Sequence, residues 1–367
     1  MTRWRGYAFA VWSRPERAEL RGGAWLSEPL QIGVLGVTDT GDRVIDAVVQ
    51  SPQAALAAVA DRDADIAARR GRALGVESFD DFRAFVLGGR LDALLVAAPP
   101  FACTEALRLA AGQHIPVWRT PPLARNFSEA VQLSRLFNES GTPLVVGRTW
   151  ERQATRDRLA ELGDLFLGHA QVICSETGDL DWRGDQERAG GGVLIDAGYD
   201  VVDLLVTRMG IPDGVSAGTA LTPSSSESHR RHDTEDTAIV LMQYGGGVLA
   251  SIMLCRTAAP SVWQVMFHGE HGSVSLDRSR MIRWSRDGRE QRRTTWEQEN
   301  VWSAGIEQFL REVSEKMSKY SSPAAEHLGV VAVIEAAYLS ARTGEPESPT
   351  RLFELQGIDM PVTPNDG

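Results

Sequence analysis

The sequence predicts an α/β protein in two parts. The first is a doubly wound parallel sheet of the Rossmann type, and the second is an α+β region with an open, mostly antiparallel sheet. Three observations carry this. Between residues 30 and 120, short runs of Val, Ile, Leu and Ala alternate with helical segments, as parallel strands joined by crossover helices do. Those runs lack polar alternation, which suits strands covered on both faces. Beyond about residue 145, longer strands recur with turn signals such as 245–247 and 270–272 between them, the texture of an antiparallel sheet.

In chain order, residues 31–36 read as the first strand and 42–50 as a helix. The second strand covers 54–60 and ends at Asp61. Residues 63–74 and 80–86 read as helices. Residues 93–98 form a third buried strand, stopped by Pro99 and Pro100, which cannot continue a ladder. Residues 104–111 are helical and 114–118 strand-like. A helix over 156–162 then leads into a strand over 169–175. A loop over 179–188 precedes three glycines at 190–192, and a helix spans 196–209. Strands are expected over 237–244, 248–255, 262–268 and 273–276, with a polar loop over 222–233. Helices over 304–319 and 324–343 follow. The expected domains are an N-terminal extension, 1–29, carrying Trp4, Trp12 and Trp25; a dinucleotide-binding domain, 30–147; a substrate and oligomerisation domain, 148–350; and a tail, 351–367.

Charge and composition exclude several classes. The formal net charge is −11 and the isoelectric point about 5.2, which argues against a nucleic-acid or anionic-membrane surface. No apolar run reaches the ~18 residues of a membrane helix. Cys103, Cys174 and Cys255 are scattered and odd in number, which fits a reducing cytoplasm and no metal cluster. The arginines between 286 and 293 read as a solvated loop. Lysine occurs only at 316 and 319, so nearly all of the 38 basic residues are arginines. Arginine keeps its proton at any working pH and cannot replace a proton-shuttling lysine.

The first strand runs into Gly36-Val37-Thr38-Asp39-Thr40-Gly41, which opens a helix. In a dinucleotide site Gly36 would make the tight turn, Gly41 would allow close helix–strand packing, and a pyrophosphate would rest on the helix N-terminus. Thr38 stands where a middle glycine is expected. Asp61 sits where an acid takes the ribose hydroxyls of NAD; Arg62 beside it would instead suit the 2′-phosphate of NADP. Two glycines in an ordinary βα turn would look the same.

Several collinear blocks add to this reading. They are Ile32–Gly36, Ala58–Asp61, Leu95–Pro100, Gly112–Ile115, Trp182-Arg183 ahead of Gly190–Gly198, Glu235–Ala238 and Glu335–Gly344. Together they resemble the Gfo/Idh/MocA oxidoreductases, the family of glucose–fructose oxidoreductase and inositol 2-dehydrogenase, over about residues 30–350. The resemblance implies a Rossmann domain, a second domain whose open sheet makes homo-oligomer contacts, and hydride transfer between NAD or NADP and a sugar, polyol or related hydroxyl compound. It places Pro99 at the cofactor.

The motifs that carry catalysis in that family are altered. Where it has Glu-Lys-Pro after the fourth strand, this chain reads Val117-Trp118-Arg119-Thr120-Pro121, so Arg119 or Thr120 takes the lysine position. Arg119 is expected to orient substrate, and Thr120–Pro121 to keep a cis turn. Where the family has a histidine, Asp196-Ala197-Gly198-Tyr199-Asp200-Val201-Val202-Asp203 places Asp200. Helical offsets put Asp196, Asp200 and Asp203 on one face with Tyr199 beside them. Asp200 is the candidate general base, provided burial raises its pKa. Alternatively Asp196 caps the helix and the other acids are solvated or paired with arginines. Arg148 and Trp150, and Trp182 and Arg183 with Asp196, are candidates for a sugar-like pocket. The histidines at 229, 232, 268 and 271 read as solvated turn residues, and no metal is expected. Two functions follow: an NAD(P)-dependent oxidoreductase with altered acid–base groups, or a non-catalytic nucleotide- or sugar-binding sensor, regulator or partner subunit in which the cofactor site is lost or kept without chemistry.

Overall fold

A computed structural model describes residues 29–38, 40–150, 153–175, 180–222, 232–296, 301–317, 319–320 and 323–361. The tryptophans of the extension, Asp39 and His229 lie outside these residues, as does most of the polar loop.

Six parallel strands form the first sheet: β1 (Leu30–Leu35), β2 (Ala54–Ala60), β3 (Glu77–Phe79), β4 (Ala93–Val96), β5 (Val117–Arg119) and β6 (Leu144–Val146), in the order β3-β2-β1-β4-β5-β6. Helices α1 (Thr40–Gln50), α2 (Ala64–Leu74), α3 (Phe82–Gly88), α4 (Pro100–Gly112) and α5 (Phe127–Ser140) connect them. The strands are buried on both faces. Ile32, Val34 and Leu95 pack with Val44 and Val48 of α1, whereas Leu35, Leu94 and Val96 pack with Ala106 and Leu107 of α4. The helix starts follow local chemistry: Asp63, Asp81 and Asn126 each accept backbone N–H groups of the first turn of α2, α3 and α5, as N-caps do. With this strand order, the chain reverses direction between β1 and β4, and a crevice opens beyond their C-terminal ends.

After α6 (Gln153–Ala160) the chain enters an eight-stranded sheet. Its strands are β7 (Leu165–Ser175), β8 (Gly214–Ala220), β9 (Thr237–Gln243), β10 (Leu249–Cys255), β11 (Thr257–Gly269), β12 (Gly272–Asp277), β13 (Arg280–Trp284) and β14 (Glu290–Thr295). Their order is β14-β13-β12-β11-β7-β10-β9-β8, antiparallel throughout except for β7 with β10. One face buries Ala170, Val240, Ile252, Val265 and Phe267 beneath α8 (Tyr199–Met209) and α10 (His327–Thr343); a short helix α7 (Gln186–Ala189) precedes α8. The opposite face leaves Ile239, Leu241, Leu249 and Met253 exposed. The chain then returns to the first sheet. Helix α9 (Ser303–Ser314) places Ile306, Phe309 and Leu310 in the core beside α1.

Several elements differ from the sequence expectation. The arginines of 286–293 are not a loop but the turn and last strand of the β13–β14 hairpin. That edge strand is polar on both faces, so it carries no hydrophobic period to read. The helix expected from 196 starts at Tyr199, with Asp196–Gly198 in a preceding turn. Within the expected tail, α11 (Pro349–Gln356) is helical, with proline in its first turn, where a missing N–H costs nothing. The cis peptide lies between Pro121 and Pro122, one residue beyond the expected bond.

The glycine run at 190–192 has a specific packing reason. Gly192 N–H donates to Glu235 Oε2 at 2.6 Å and Leu194 N–H to Oε1 at 3.0 Å, while Tyr338 hydroxyl donates to Oε1 at 2.8 Å. A Cβ on Gly192 would fall 1.9 Å from the Glu235 carbonyl oxygen. Glu235 therefore clamps this loop and fixes the start of the turn that carries Asp196.

Candidate functional site

A cleft of about 1200 Å³ lies between the two sheets. Its floor is the C-terminal ends of the parallel strands: Thr40 after β1, Pro99 after β4, Thr120 after β5 and Thr149 after β6 line it. Its far wall comes from β7, β11 and the β12–β13 turn, through Cys174, Trp263 and Arg278.

Of the residues expected at a dinucleotide, Pro99 lines this cleft beside Thr40 and Arg43, and the glycine turn packs against its wall at Ala97–Ala98. Gly36 has φ +86°, and a Cβ there would lie 2.6 Å from Ala98 N. A Cβ on Gly41 would lie 2.0 Å from Gly36 O. Both positions need glycine, and they let the turn press against the cleft wall at Ala97–Ala98. Thr38, in place of a middle glycine, is exposed. Asp61 closes β2 with its carboxylate accepting from Val37 N–H and Asp63 N–H, both at 3.1 Å. The Arg62 guanidinium stands over the Phe82 and Phe101 rings, 5.7 and 5.9 Å from their centroids. The turn, the helix N-terminus and the acid at the end of β2 fit a dinucleotide.

The remaining candidates divide into two groups. Thr120, Trp182, Arg183, Asp196 and Asp200 all line the cleft. Arg119, Tyr199 and Arg148 do not. Arg119 is 1% exposed; its Nε donates to Thr120 O at 3.1 Å and its Nη1 to Leu123 O at 2.8 Å. It holds the turn after β5 from inside the core, and of the two only Thr120 lines the cleft. Tyr199 is buried and stacks on His327, with its hydroxyl 3.2 Å from Nδ1.

Asp196 does not share a helix with Asp200 and Asp203, and each of the three acids has its own partners. Asp196 lies before the helix, between Arg183 at 3.3 Å and the buried Arg256 at 2.8 Å. It does not cap α8, whose first turn has no side-chain cap. Arg183 rests on the Trp182 ring, 4.7 Å from its centroid. Asp203 is buried and takes Arg148 Nε at 2.9 Å, Arg148 Nη2 at 3.2 Å and Trp150 Nε1 at 2.9 Å. Burial alone would raise its pKa, but Arg148 beside it holds the carboxyl below the usual range.

Asp200 occupies the middle of the cleft. Its side chain is 15% exposed, and its Oδ2 accepts the Thr149 hydroxyl at 2.5 Å. Burial pushes its pKa up; the Arg278 charge, 3.9 Å away, and the Thr149 hydroxyl pull it only partly back. Burial thus raises the proton affinity of this carboxyl, which is what a general base in the cleft requires.

Sequence reasoning missed Thr149, Arg278 and Trp263. Arg278 belongs to no motif; it is the second residue of a β-turn, and only the sheet topology brings it opposite α8. Thr149 lies between Arg148 and Trp150, both of which were singled out, and alternation along the chain was the available signal. Among the described residues, no group of three His, Cys, Asp or Glu side chains could hold a metal ion, and no helix is long and apolar enough to cross a membrane.

Residues 30–148 match a family model described as an oxidoreductase family with an NAD-binding Rossmann fold. Residues 153–275 match that of the Gfo/Idh/MocA C-terminal domain. No curated protein matches the sequence. Solved structures share the fold at low identity. Levoglucosan dehydrogenase, in complex with NADH and levoglucosan, has a TM-score of 0.79 and 17% identity, covering 88% of this chain and 99% of that one. An oxidoreductase from Agrobacterium radiobacter, bound to NAD+, L-tartaric acid and magnesium, has a TM-score of 0.76 and 19% identity, covering 89% and 100%. The WlbA dehydrogenase from Bordetella pertussis, bound to NADH and UDP-GlcNAcA, has a TM-score of 0.72 and 21% identity, covering 88% and 99%.

Two outcomes follow from the buried groups around Asp203. Asp203→Asn removes the buried carboxylate that pairs with Arg148, leaving the guanidinium to the half-exposed Glu326, and should cost roughly 3 kcal/mol in urea unfolding. His327 is held neutral: burial pulls its pKa down to about 3, outweighing the Asp203 carboxylate. An unfolded chain protonates histidine near ~6.5. Stability should therefore fall as pH drops from about 6 toward 4, this group contributing up to ~1.4 kcal/mol per pH unit. His327→Gln should flatten that slope, measured by unfolding at stepped pH.

Proposed function

The chain belongs to the Gfo/Idh/MocA oxidoreductase family, and from that premise we propose that it is an NAD(P)-dependent oxidoreductase of a sugar, polyol or related hydroxyl compound, with Asp200 as its acid–base group. The observation that carries this is the Asp200 carboxyl itself. It is the acid whose pKa burial raises among those lining the cleft, and a hydroxyl donor on the last strand of the Rossmann sheet fixes its position. The substrate class is supported by structural neighbours bound to levoglucosan and to UDP-GlcNAcA.

When bound, the nicotinamide accepts or gives the hydride; the protein must position it and handle the proton. Gly36, Gly41 and the α1 N-terminus would hold the pyrophosphate, Asp61 or Arg62 the adenosine ribose, and Pro99 the wall beside the nicotinamide half. In oxidation, the Asp200 carboxylate takes the proton of the reacting hydroxyl, while Thr149 keeps the carboxyl aimed at it. In reduction the same carboxyl gives the proton back. Trp182 and Arg183 supply a stacking surface and donors for the rest of the substrate. Thr120, at the lysine position, cannot shuttle a proton, which leaves this work to Asp200. The exposed apolar face of the second sheet supports contact between copies of the chain, and the free cysteines support a cytoplasmic setting.

The same lack of lysine favours a second reading, a ligand-binding member without turnover. Nicotinamide fluorescence during titration with NADH and NADPH, followed by turnover on a polyol and sugar panel, separates the two. Binding with turnover supports the enzyme; binding without turnover supports the sensor or partner subunit; failure to bind either nucleotide overturns the dehydrogenase.

If Asp200 is the base, kcat/KM for oxidation should rise with pH through one ionisation above the ordinary carboxylate value of ~4 and then level off. Asp200→Asn should lower kcat/KM by roughly 100-fold or more and abolish that limb. An unchanged profile in the variant would exclude the role.

A further inference from the structure

We infer that Arg278 is a carboxylate-binding residue of the cleft, and that the substrate is a hydroxy acid. This rests on the reading of Asp200 as the proton acceptor and narrows the substrate class.

Arg278 reaches the cleft from the turn between β12 and β13. Its guanidinium lies over the Trp263 ring, 4.5 Å from the centroid, and Trp263 is 9% exposed, so the shelf beneath it is fixed. Stacking of this kind leaves the in-plane N–H edge available. One donor, Nη1, goes to Thr149 Oγ1 at 3.2 Å. Nη2 is 3.9 Å from Asp200 Oδ2, beyond hydrogen-bond length. Asp200 is thus an ion-pair partner through space and not through a hydrogen bond, and the adjacent acid leaves the donor edge open. Asp277 is committed to Ser279 N–H and hydroxyl and to Arg280 N–H and Nε, at 2.8 to 3.0 Å. Arg43 also lines the cleft, and its positive charge acts on Arg278 with the same sign. A carboxylate matches the flat, forked donor edge of Arg278.

A substrate hydroxyl on Asp200 Oδ2 and a substrate carboxylate on Arg278 would share one region of the cleft, because Arg278 Nη2 is 3.9 Å from that oxygen and Arg278 Nη1 donates to the Thr149 hydroxyl that itself donates to it. On oxidation the carbinol C–H and O–H bonds break and a C=O bond forms. The hydride leaves to the bound nicotinamide of the proposed reaction, the proton goes to Asp200, and the carboxylate stays unchanged on Arg278.

The test is calorimetric titration of the full-length protein, without turnover, with glycerate, gluconate and 3-hydroxybutyrate. Glycerol and inositol serve as neutral controls, and glycerol phosphate as the phosphate arm. The hydroxy acids should bind more tightly than the neutral compounds. Arg278→Met should weaken them by roughly 10- to 100-fold, Arg278→Lys should restore part of that, and the melting temperature of each variant confirms folding. Asp200→Asn should keep hydroxy-acid binding while losing turnover. Retained turnover in that variant would remove the base role yet leave the Arg278 site standing. Equal affinity for neutral polyols, no binding of any hydroxy acid, or no change in Arg278→Met would overturn the inference. Preference for glycerol phosphate would overturn the carboxylate.

Discussion

The buried pair between Arg148 and Asp203 organises the site. Arg148 leaves the last strand of the parallel sheet, and Asp203 lies on α8 of the second domain. Both side chains are almost wholly buried, where a paired charge is tolerated only with its partners in place. Trp150 donates to the same carboxylate from the other side, and Glu326 and His327 at the start of α10 close the cluster. Thr149, between Arg148 and Trp150, has no freedom once its neighbours are fixed. Asp200, three residues before Asp203, is presented by the same helix. The short Thr149–Asp200 hydrogen bond is thus a consequence of a stronger clamp behind it.

Around that carboxyl the arginine-rich composition takes a definite form. Guanidinium groups can hold an anion or a loop but cannot carry protons at neutral pH. Here Arg119 holds the turn after β5, Arg148 holds Asp203, and Arg183 with Arg256 holds Asp196. In the proposed reaction, proton handling falls to a carboxyl whose pKa burial raises, which needs no lysine.

Much of the fold was legible in the sequence because the parallel strands are short unbroken apolar runs, and because the glycines at 36, 41 and 192 each meet backbone at less than contact distance. The edge strand β14 was not legible, since Glu290–Thr295 has no buried face to leave a period. The side-chain directions around the site were legible only in part. A three-residue strand buried on both faces gives no phase, so Arg119 and Thr120 were equivalent in sequence, while in space one faces the core and the other the cleft. Starting α8 at Tyr199 rather than Asp196 separated Asp196 from the two acids, Asp200 and Asp203, that stay on the helix. Arg278 stood in no motif, because what makes it part of the cleft is the pairing of β11 with β7 and β12, which brings a turn remote in sequence to the mouth of the Rossmann sheet.

The central claim is that the Asp200 carboxyl is poised to exchange a proton within the cleft. Its most direct measurement is the titration of that carboxyl itself, by carbon-13 chemical shift of labelled aspartate with Asp200→Asn to assign the signal. The account predicts a midpoint clearly above the ordinary aspartate value of ~4. A midpoint at or below that value would contradict it, because an aspartate ionised as readily as one in water has no basis for serving as the cleft's proton acceptor and donor.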